Sequence, residues 1–241
     1  MTSFTNRLKN ELMGDGWFGL LFITLGLLTQ LASFVWAPDT SLSPADAVIS
    51  LVCGMFGIVG VVLYSQKKLS GYIFSFVQLF LYVYLAAKQH LWGQIAQNVF
   101  YFVTMIGGMY IWVKHYRSSD TDSEVDTLQL SRKWFGGILA ATVVLIGVLY
   151  YVLRLTNDPQ PFIDAFTTVP AFVAQILLML RYRENWVFWA ILNVASVVLW
   201  ARAENWCLMI QYIFWTINCA YGYHLWRTTQ DSSTGKQAAK K

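Results

Sequence analysis

The feature that most constrains the fold of this chain is a series of eight long apolar runs. They occupy residues 17–36, 45–65, 70–87, 92–113, 134–153, 163–180, 185–201 and 205–226. Each is close to the ~20 residues that an α-helix needs to cross a bilayer, and none alternates as the strands of a membrane barrel do. Only 12% of the residues are charged, about half the share in a soluble domain. The pattern predicts an all-α integral membrane protein with eight transmembrane helices.

The distribution of basic residues predicts the orientation in the membrane. If the N-terminus is cytoplasmic, fourteen of the 17 Lys and Arg residues lie on the cytoplasmic side, and the opposite side holds only Lys88, Arg154 and Arg202. Because cytoplasmic loops are enriched in Lys and Arg, we expect both termini to be cytoplasmic. The net charge of +4 follows from this bias and does not indicate nucleic-acid binding.

An internal repeat organises the chain. Residues 67–113 align without a gap on residues 181–227, at an offset of 114 positions and with nine identical pairs. Each repeat unit holds three predicted helices, and the single helix 134–153 joins the two units. An odd number of helices per unit and one linking helix predict a parallel 3+1+3 arrangement, with helix 17–36 in front. Transporters with parallel repeats bind their substrate near the membrane midplane, between the repeats.

These elements define the predicted units of the chain. They are the cytoplasmic N-terminus with the extra helix (1–44), the first three-helix bundle (45–114), the cytoplasmic loop and linking helix (115–155), the second three-helix bundle (163–227) and the cytoplasmic tail (228–241). We expect the polar tail to be disordered, as terminal segments often are.

The stretch ENWVFWAILNVASVVLW, residues 184–200, carries polar and aromatic side chains into a predicted membrane helix. At 100° per residue, Trp186, Trp189 and Asn193 fall within about 60° of one another. Other helices carry similar stripes, and together they predict one polar, aromatic cavity. Its candidate lining residues are Gln78, Gln94, Asn98, Tyr101, Trp186, Trp189, Asn193, Trp215 and Asn218. Such a cavity suits a flat, polar heterocycle, because indoles stack and amides bond hydroxyl and carboxamide groups.

A structural explanation of the same residues stays open. Amides in membrane helices also bond between helices, and glycines such as Gly108 and Gly222 allow close packing, which we favour for these two. Tryptophans at span ends usually lie at the membrane surface. We therefore expect interfacial positions for Trp92, Trp112, Trp206 and Trp226.

Several functional classes are disfavoured by what the sequence lacks. All 13 acidic residues lie in loops or near span ends, so no carboxylate is placed to relay protons at the midplane. No phosphate-binding loop and no nucleophile–base pair occurs. The three cysteines, Cys53, Cys207 and Cys219, have no metal-ligand spacing and are interpreted as packing residues. We expect a passive carrier that is not an enzyme and uses no metal or cofactor.

The motif in residues 186–193 resembles a known family. WVFWAILN fits the W-x-x-W-x-x-x-N pattern of the PnuC nicotinamide riboside transporters, and NCAYGYHLW (218–226) resembles the final-helix motif of that family. The resemblance covers about residues 45–227 and implies a fold similar to that of the full-length SWEET transporters. It implies uptake of nicotinamide riboside (vitamin B3) across the bacterial inner membrane by facilitated diffusion, with trapping by a cytoplasmic kinase. It also adds Tyr221 to the candidate substrate-binding residues.

Alternatives remain within the same fold. A carrier of thiamine or riboflavin would use a similar aromatic site. A sugar carrier of SWEET type explains the paired tryptophans less well, and a ligand-binding membrane sensor of seven-helix type would bind without transport. Assembly into a homo-oligomer is compatible with all of them.

Overall fold

The computed structural model describes residues 16–36, 42–116, 125–156, 160–202 and 206–238, which form eight α-helices. The helices are α1 (Gly16–Trp36), α2 (Pro44–Ser65), α3 (Ser70–Lys88), α4 (Trp92–Tyr116), α5 (Arg132–Leu155), α6 (Pro161–Met179), α7 (Asn185–Arg202) and α8 (Trp206–Ala238). The described residues contain no strand, and one isolated parallel bridge joins Leu128 to Tyr182. The predicted all-helical architecture is confirmed.

Six of the helices are long and apolar enough to cross a membrane on length and composition alone: α1, α2, α3, α5, α6 and α7. The other two, α4 and α8, carry amides within their spans, among them Asn98 and Asn218, which lower their mean hydropathy. The linking helix α5 turns apolar side chains outward, and Val143 and Val144 are each 64% exposed. A helix whose outward side chains are apolar is suited to contact with the lipid of a bilayer. The chain is therefore a multi-pass membrane protein.

The helices pack in a pattern that repeats along the chain. In the first half α3 packs between α2 and α4, and in the second half α7 packs between α6 and α8. Two further contacts join the halves: α4 packs on α6, and α2 packs on α8. If α2, α3 and α4 are exchanged for α6, α7 and α8, the contact of α4 with α6 becomes the contact of α8 with α2. The two contacts are therefore equivalent. Helix α5 packs on α6, and α1 packs on both α2 and α8.

The turns after α2 and α6 have the same backbone conformation. Lys67 and Arg181 lie 114 positions apart, and both have a left-handed backbone, with φ of 61° and 67°. Four backbone bonds close these turns in matching positions: Lys67 N–H to Tyr64 O (3.0 Å), Lys68 N–H to Leu63 O (2.9 Å), Arg181 N–H to Leu178 O (3.0 Å) and Tyr182 N–H to Leu177 O (2.8 Å). This is the pattern with which helices commonly end before a sharp turn.

Two tryptophans lie deeper than the sequence predicts. Trp112 and Trp226 are fully buried, so the interfacial positions expected for them are wrong. Both belong to an aromatic core between the halves, where their indole N–H groups bond to backbone carbonyls. A residue at the end of a membrane span can be buried when other helices cover that end. Trp92 is 68% exposed, and its interfacial position stays a prediction.

Helix α8 is longer than the apolar run that predicts it. It continues to Ala238, through most of the segment 228–241 that we expected to be disordered. An existing helix extends more easily than a new one nucleates, and no proline interrupts this segment.

Candidate functional site

A cavity of about 420 Å³ lies between the two groups of three helices. Its volume falls in the ~300–1,000 Å³ range of small-molecule sites. Eight of the sequence-predicted residues line it: Gln78, Gln94, Asn98, Tyr101, Trp186, Trp189, Asn193 and Trp215. They come from α3, α4, α7 and α8, so the fold brings together side chains that lie far apart in sequence.

The cavity wall follows the offset of 114 positions seen in the sequence. Eighteen of its lining residues form nine pairs at this offset. The pairs are Val61/Gln175, Tyr64/Leu178, Ser75/Trp189, Gln78/Leu192, Leu79/Asn193, Gln97/Gln211, Asn98/Tyr212, Tyr101/Trp215 and Met105/Cys219. Equivalent backbone positions from both halves therefore face the cavity, but most pairs differ in chemistry. The wall is thus symmetric in position and asymmetric in the groups that it presents.

Helix α7 supplies the two tryptophans and Asn193 in different environments. Trp186 is only 3% exposed and packs its ring against Gly222, at a position where a Cβ atom would lie 2.6 Å from Cε2 of the ring. Trp189 is partly exposed at the cavity wall. The Asn193 side-chain amide donates to Cys219 Sγ over 3.4 Å. Trp186 therefore forms the packed back of the wall, whereas Trp189 is less buried and lines the cavity.

The amides of α4 are partly oriented by their neighbours. Asn98 Nδ2 donates to the Gln94 carbonyl oxygen at 2.8 Å, and Gln97 Nε2 donates to the Tyr101 hydroxyl at 2.8 Å. The Tyr82 hydroxyl donates to Gln94 Oε1 at 3.2 Å. These bonds hold the side chains in place and leave further amide positions for a ligand, since one amide has four hydrogen-bonding sites.

Two predicted site residues are not in the cavity wall. Asn218 is fully buried, and neither atom of its amide has a hydrogen-bond partner among the described residues. Tyr221 stacks on Phe22 of α1, with ring centroids 6.2 Å apart. Helix α1 occupies the side of α8 on which Tyr221 lies, and no repeat of α1 exists to predict that contact.

Other lining residues are absent from the predicted set. Ser75, Tyr82, Gln97, Gln175 and Gln211 lie on the polar stripes of the sequence, and Tyr212 also reaches the wall. Tyr212 could have been found from the repeat, because it is the equivalent of Asn98. None of the described lining residues carries a formal charge. Within the described parts of the chain no group of three metal-ligating side chains occurs either.

A cluster of aromatic side chains borders the cavity, and two of its members, Tyr64 and Trp186, line the wall. Tyr64, Tyr72, Trp112, Trp186 and Trp226 contact one another edge to face, with ring centroids 4.9–5.8 Å apart. Aromatic rings prefer this geometry, and each such pair adds about 0.5–1.5 kcal/mol beyond the burial of area. We call these five residues the aromatic cluster. It lies next to the two matching turns, because Trp112 and Trp226 bond to the Leu178 and Tyr64 carbonyls that also accept from Arg181 and Lys67.

A multi-pass helical bundle with a solute-sized, uncharged cavity between its halves has the construction of a small-molecule membrane carrier. The chain belongs to the nicotinamide mononucleotide transporter family, whose sequence model matches residues 47–228.

Individual relatives agree with this assignment. The chain is 31% identical over 225 residues to the nicotinamide riboside transporter PnuC of Haemophilus influenzae, covering 91% of this chain and 94% of the relative. It is also 31% identical over 229 residues to PnuC of Neisseria mucosa, covering 90% of this chain and 84% of the relative. A crystal structure of the vitamin B3 transporter PnuC superimposes with a TM-score of 0.76 at 29% identity, over 94% of this chain and 98% of that chain.

Proposed function

We propose that this protein carries nicotinamide riboside across the bacterial inner membrane by facilitated diffusion. The observation that carries the proposal is the cavity wall, which combines aromatic side chains with amides. The riboside holds a pyridinium cation, a carboxamide and ribose hydroxyls. Trp189 offers the cation a ring face, a contact that contributes about 0.5–2 kcal/mol. Amides such as Asn193 and Gln78 match the carboxamide and hydroxyls.

The chemistry of the wall favours the riboside over the mononucleotide for which the family model is named. A phosphate group adds about −1.5 to −2 charges at neutral pH. Placing that charge in a membrane-embedded cavity is costly unless a cation compensates it. The described lining residues include no Lys or Arg. The riboside is therefore the better fit, and the curated relatives carry its name.

The two groups of three helices act in this proposal as parallel repeats. They are α2–α4 (45–114 in the sequence) and α6–α8 (163–227), joined by α5 and preceded by α1. Three observations support the arrangement: the exchangeable helix contacts, the matching turns at Lys67 and Arg181, and the nine equivalent pairs in the cavity wall. The repeats would rock against each other around the site and open it to each side in turn.

The aromatic cluster is the closed gate in this mechanism. It joins residues of both repeats, so rocking motions must separate its rings. The bias of Lys and Arg supports a cytoplasmic location for its end of the molecule, which holds the basic turn residues Lys67 and Arg181. Both termini would then be cytoplasmic, and a cytoplasmic kinase would trap the substrate by phosphorylation, so that no ion gradient is needed.

Flux into proteoliposomes tests the proposal. Purified protein is reconstituted, and uptake of labelled riboside is measured with and without an ionophore that collapses ion gradients. We expect saturable uptake that stops at equal concentrations and does not respond to the ionophore. Accumulation above the outside concentration would refute facilitated diffusion, and binding without flux would indicate a sensor.

Competition in the same vesicles identifies the cargo. Excess unlabelled nicotinamide mononucleotide, thiamine, riboflavin or glucose is added together with labelled riboside. We expect the unlabelled riboside to compete and the mononucleotide to compete at least about tenfold less well, since its phosphate finds no cation in the wall. Stronger competition by thiamine or riboflavin would keep the carrier and replace its substrate.

A further inference from the structure

The two halves of the cavity hold an equivalent glutamine in different ways. In the first half the Gln97 side chain donates to the Tyr101 hydroxyl one turn along the same helix, at 2.8 Å. In the second half the equivalent residues are Gln211 and Trp215, and both also line the cavity. An indole has no acceptor atom, so Trp215 cannot hold Gln211 as Tyr101 holds Gln97.

Helix α1 supplies the acceptor that α8 lacks. Gln211 Nε2 donates to Gln30 Oε1 at 3.3 Å. Gln30 lies on α1, and the family model begins at residue 47, after α1 has ended. An element outside the range matched by the family model therefore bonds to a residue of the cavity wall.

The Gln30 side chain occupies space that is open because Gly54 has no side chain. Its amide lies against Gly54 of α2, and a Cβ atom there would come within 2.9 Å of Gln30 Oε1 and closer still to Nε2. Gly54 itself lines the cavity. Helix α1 has independent anchors, because Phe22 packs on Phe214 with ring centroids 4.8 Å apart. The contact of Gln30 is thus not needed to hold α1 in place.

We propose that Gln30 is a positioning residue of the substrate site, which orients the Gln211 amide toward the ligand. The inference rests on the proposed function, because it concerns the cavity that we assign to nicotinamide riboside. Gln30 fixes the donor of Gln211 and leaves its carbonyl oxygen to accept from a ribose hydroxyl or from the carboxamide. Helix α1 thereby orients a group in the second half of the wall that the first half holds through its own helix.

A double-mutant cycle on riboside affinity tests the inference. The variants are Gln30→Leu, Gln211→Leu and the double substitution, and the Kd for riboside is measured by calorimetry on purified full-length protein. From the usual net contribution of one hydrogen bond we expect Gln30→Leu to weaken binding about three- to tenfold. In the Gln211→Leu background the same substitution should change Kd less than about twofold, because its target is gone.

A rescue experiment separates positioning from general packing. In the Trp215→Tyr background Gln211 regains an acceptor on its own helix, as Gln97 has in Tyr101. Gln30→Leu should then have at most about a twofold effect relative to Trp215→Tyr alone. Thr29→Val is the matched control on α1, since the Thr29 hydroxyl donates to the Leu25 carbonyl of its own helix. It should leave Kd unchanged.

The outcomes separate the inference from the proposed function. If wild-type protein binds no riboside, the proposed function fails. If wild-type protein binds but Gln30→Leu has the wild-type Kd, or loses equal affinity in the Gln211→Leu background, only the positioning role fails. Unfolding temperatures are recorded for every variant, and Gln30→Met, which keeps the side-chain length without the amide, replaces Gln30→Leu if that protein does not fold.

Discussion

Trp112 and Trp226 lie 114 positions apart, and the indole of each reaches across to a carbonyl of the other half. Trp112 Nε1 donates to the Leu178 carbonyl oxygen at 3.1 Å. Trp226 Nε1 donates to the equivalent carbonyl, that of Tyr64, at 3.2 Å. Their ring centroids are 5.8 Å apart. The same bond is thus made twice, in opposite directions, across the interface between the halves.

Replacing either tryptophan by phenylalanine should destabilise the protein. Trp112→Phe and Trp226→Phe each remove a buried hydrogen bond, which costs about 0.5–1.5 kcal/mol. The Leu178 and Tyr64 carbonyls keep their bonds from the Arg181 and Lys67 N–H groups. The measurement is the midpoint of thermal unfolding in detergent. Trp92→Phe is the control, because Trp92 is 68% exposed and should give the wild-type midpoint. Three equal midpoints would contradict the role of these bonds.

Among the aromatic residues of the cavity wall, Trp189 should contribute most to riboside binding. Trp189→Ala removes the ring face at the cavity, and the loss of a cation–π contact of about 0.5–2 kcal/mol weakens riboside binding by about two- to thirtyfold. Trp189→Phe should retain part of the affinity. The Kd is measured by titration calorimetry, and Trp134→Ala on α5, at a site 69% exposed, is the control. Equal affinity in Trp189→Ala and wild type would remove this residue from the site.

The first half of the protein shows which residue can replace Asn193 without disturbing the packing. The equivalent position in the first half holds Leu79, which is 6% exposed and lines the same cavity. Asn193→Leu should therefore insert and fold, while losing at least about tenfold in riboside affinity, because it removes the amide that we propose binds the riboside. Wild-type affinity in a folded Asn193→Leu protein would return Asn193 to a packing role.

The parts of the site that the sequence predicts are those fixed by one helix. Trp186, Trp189 and Asn193 share a face because 100° per residue places them there, and the cavity lies on that face. The depth of a residue and the identity of the neighbouring helix depend on packing between helices. Trp112 is buried by contacts with the other half, and Tyr221 is turned toward α1, although both belong to well-predicted helices.

Gly222 is required for the packing of Trp186, as favoured from the sequence. In Gly222→Ala the added Cβ would lie 2.6 Å from Trp186 Cε2, and overpacking of this kind costs about 1–3 kcal/mol. Gly147→Ala on α5 is the control, because a Cβ there meets nothing within 4 Å and alanine favours the helix. Thermal unfolding should separate the two variants, with Gly222→Ala below wild type and Gly147→Ala at or above it. The reverse order would contradict the contact.

We expect the buried amide of Asn218 to lower the stability of the folded protein. Its equivalent in the first half is Thr104, whose hydroxyl donates to the Phe100 carbonyl at 2.9 Å on its own helix. Asn218 is buried without a partner for its amide among the described residues, a state that costs about 1–3 kcal/mol. Asn218→Thr would replace it by a side chain that satisfies itself, so we expect a higher unfolding temperature.

The same variant tests whether the buried amide takes part in transport. If Asn218 finds its partners only when the halves rearrange, Asn218→Thr should slow riboside flux in proteoliposomes while its Kd stays near that of wild type. Because the residue lies outside the cavity wall, a loss confined to flux locates its role in the conformational change. A less stable Asn218→Thr protein would show instead that the amide already contributes to the folded state, and would overturn the cost assigned to it.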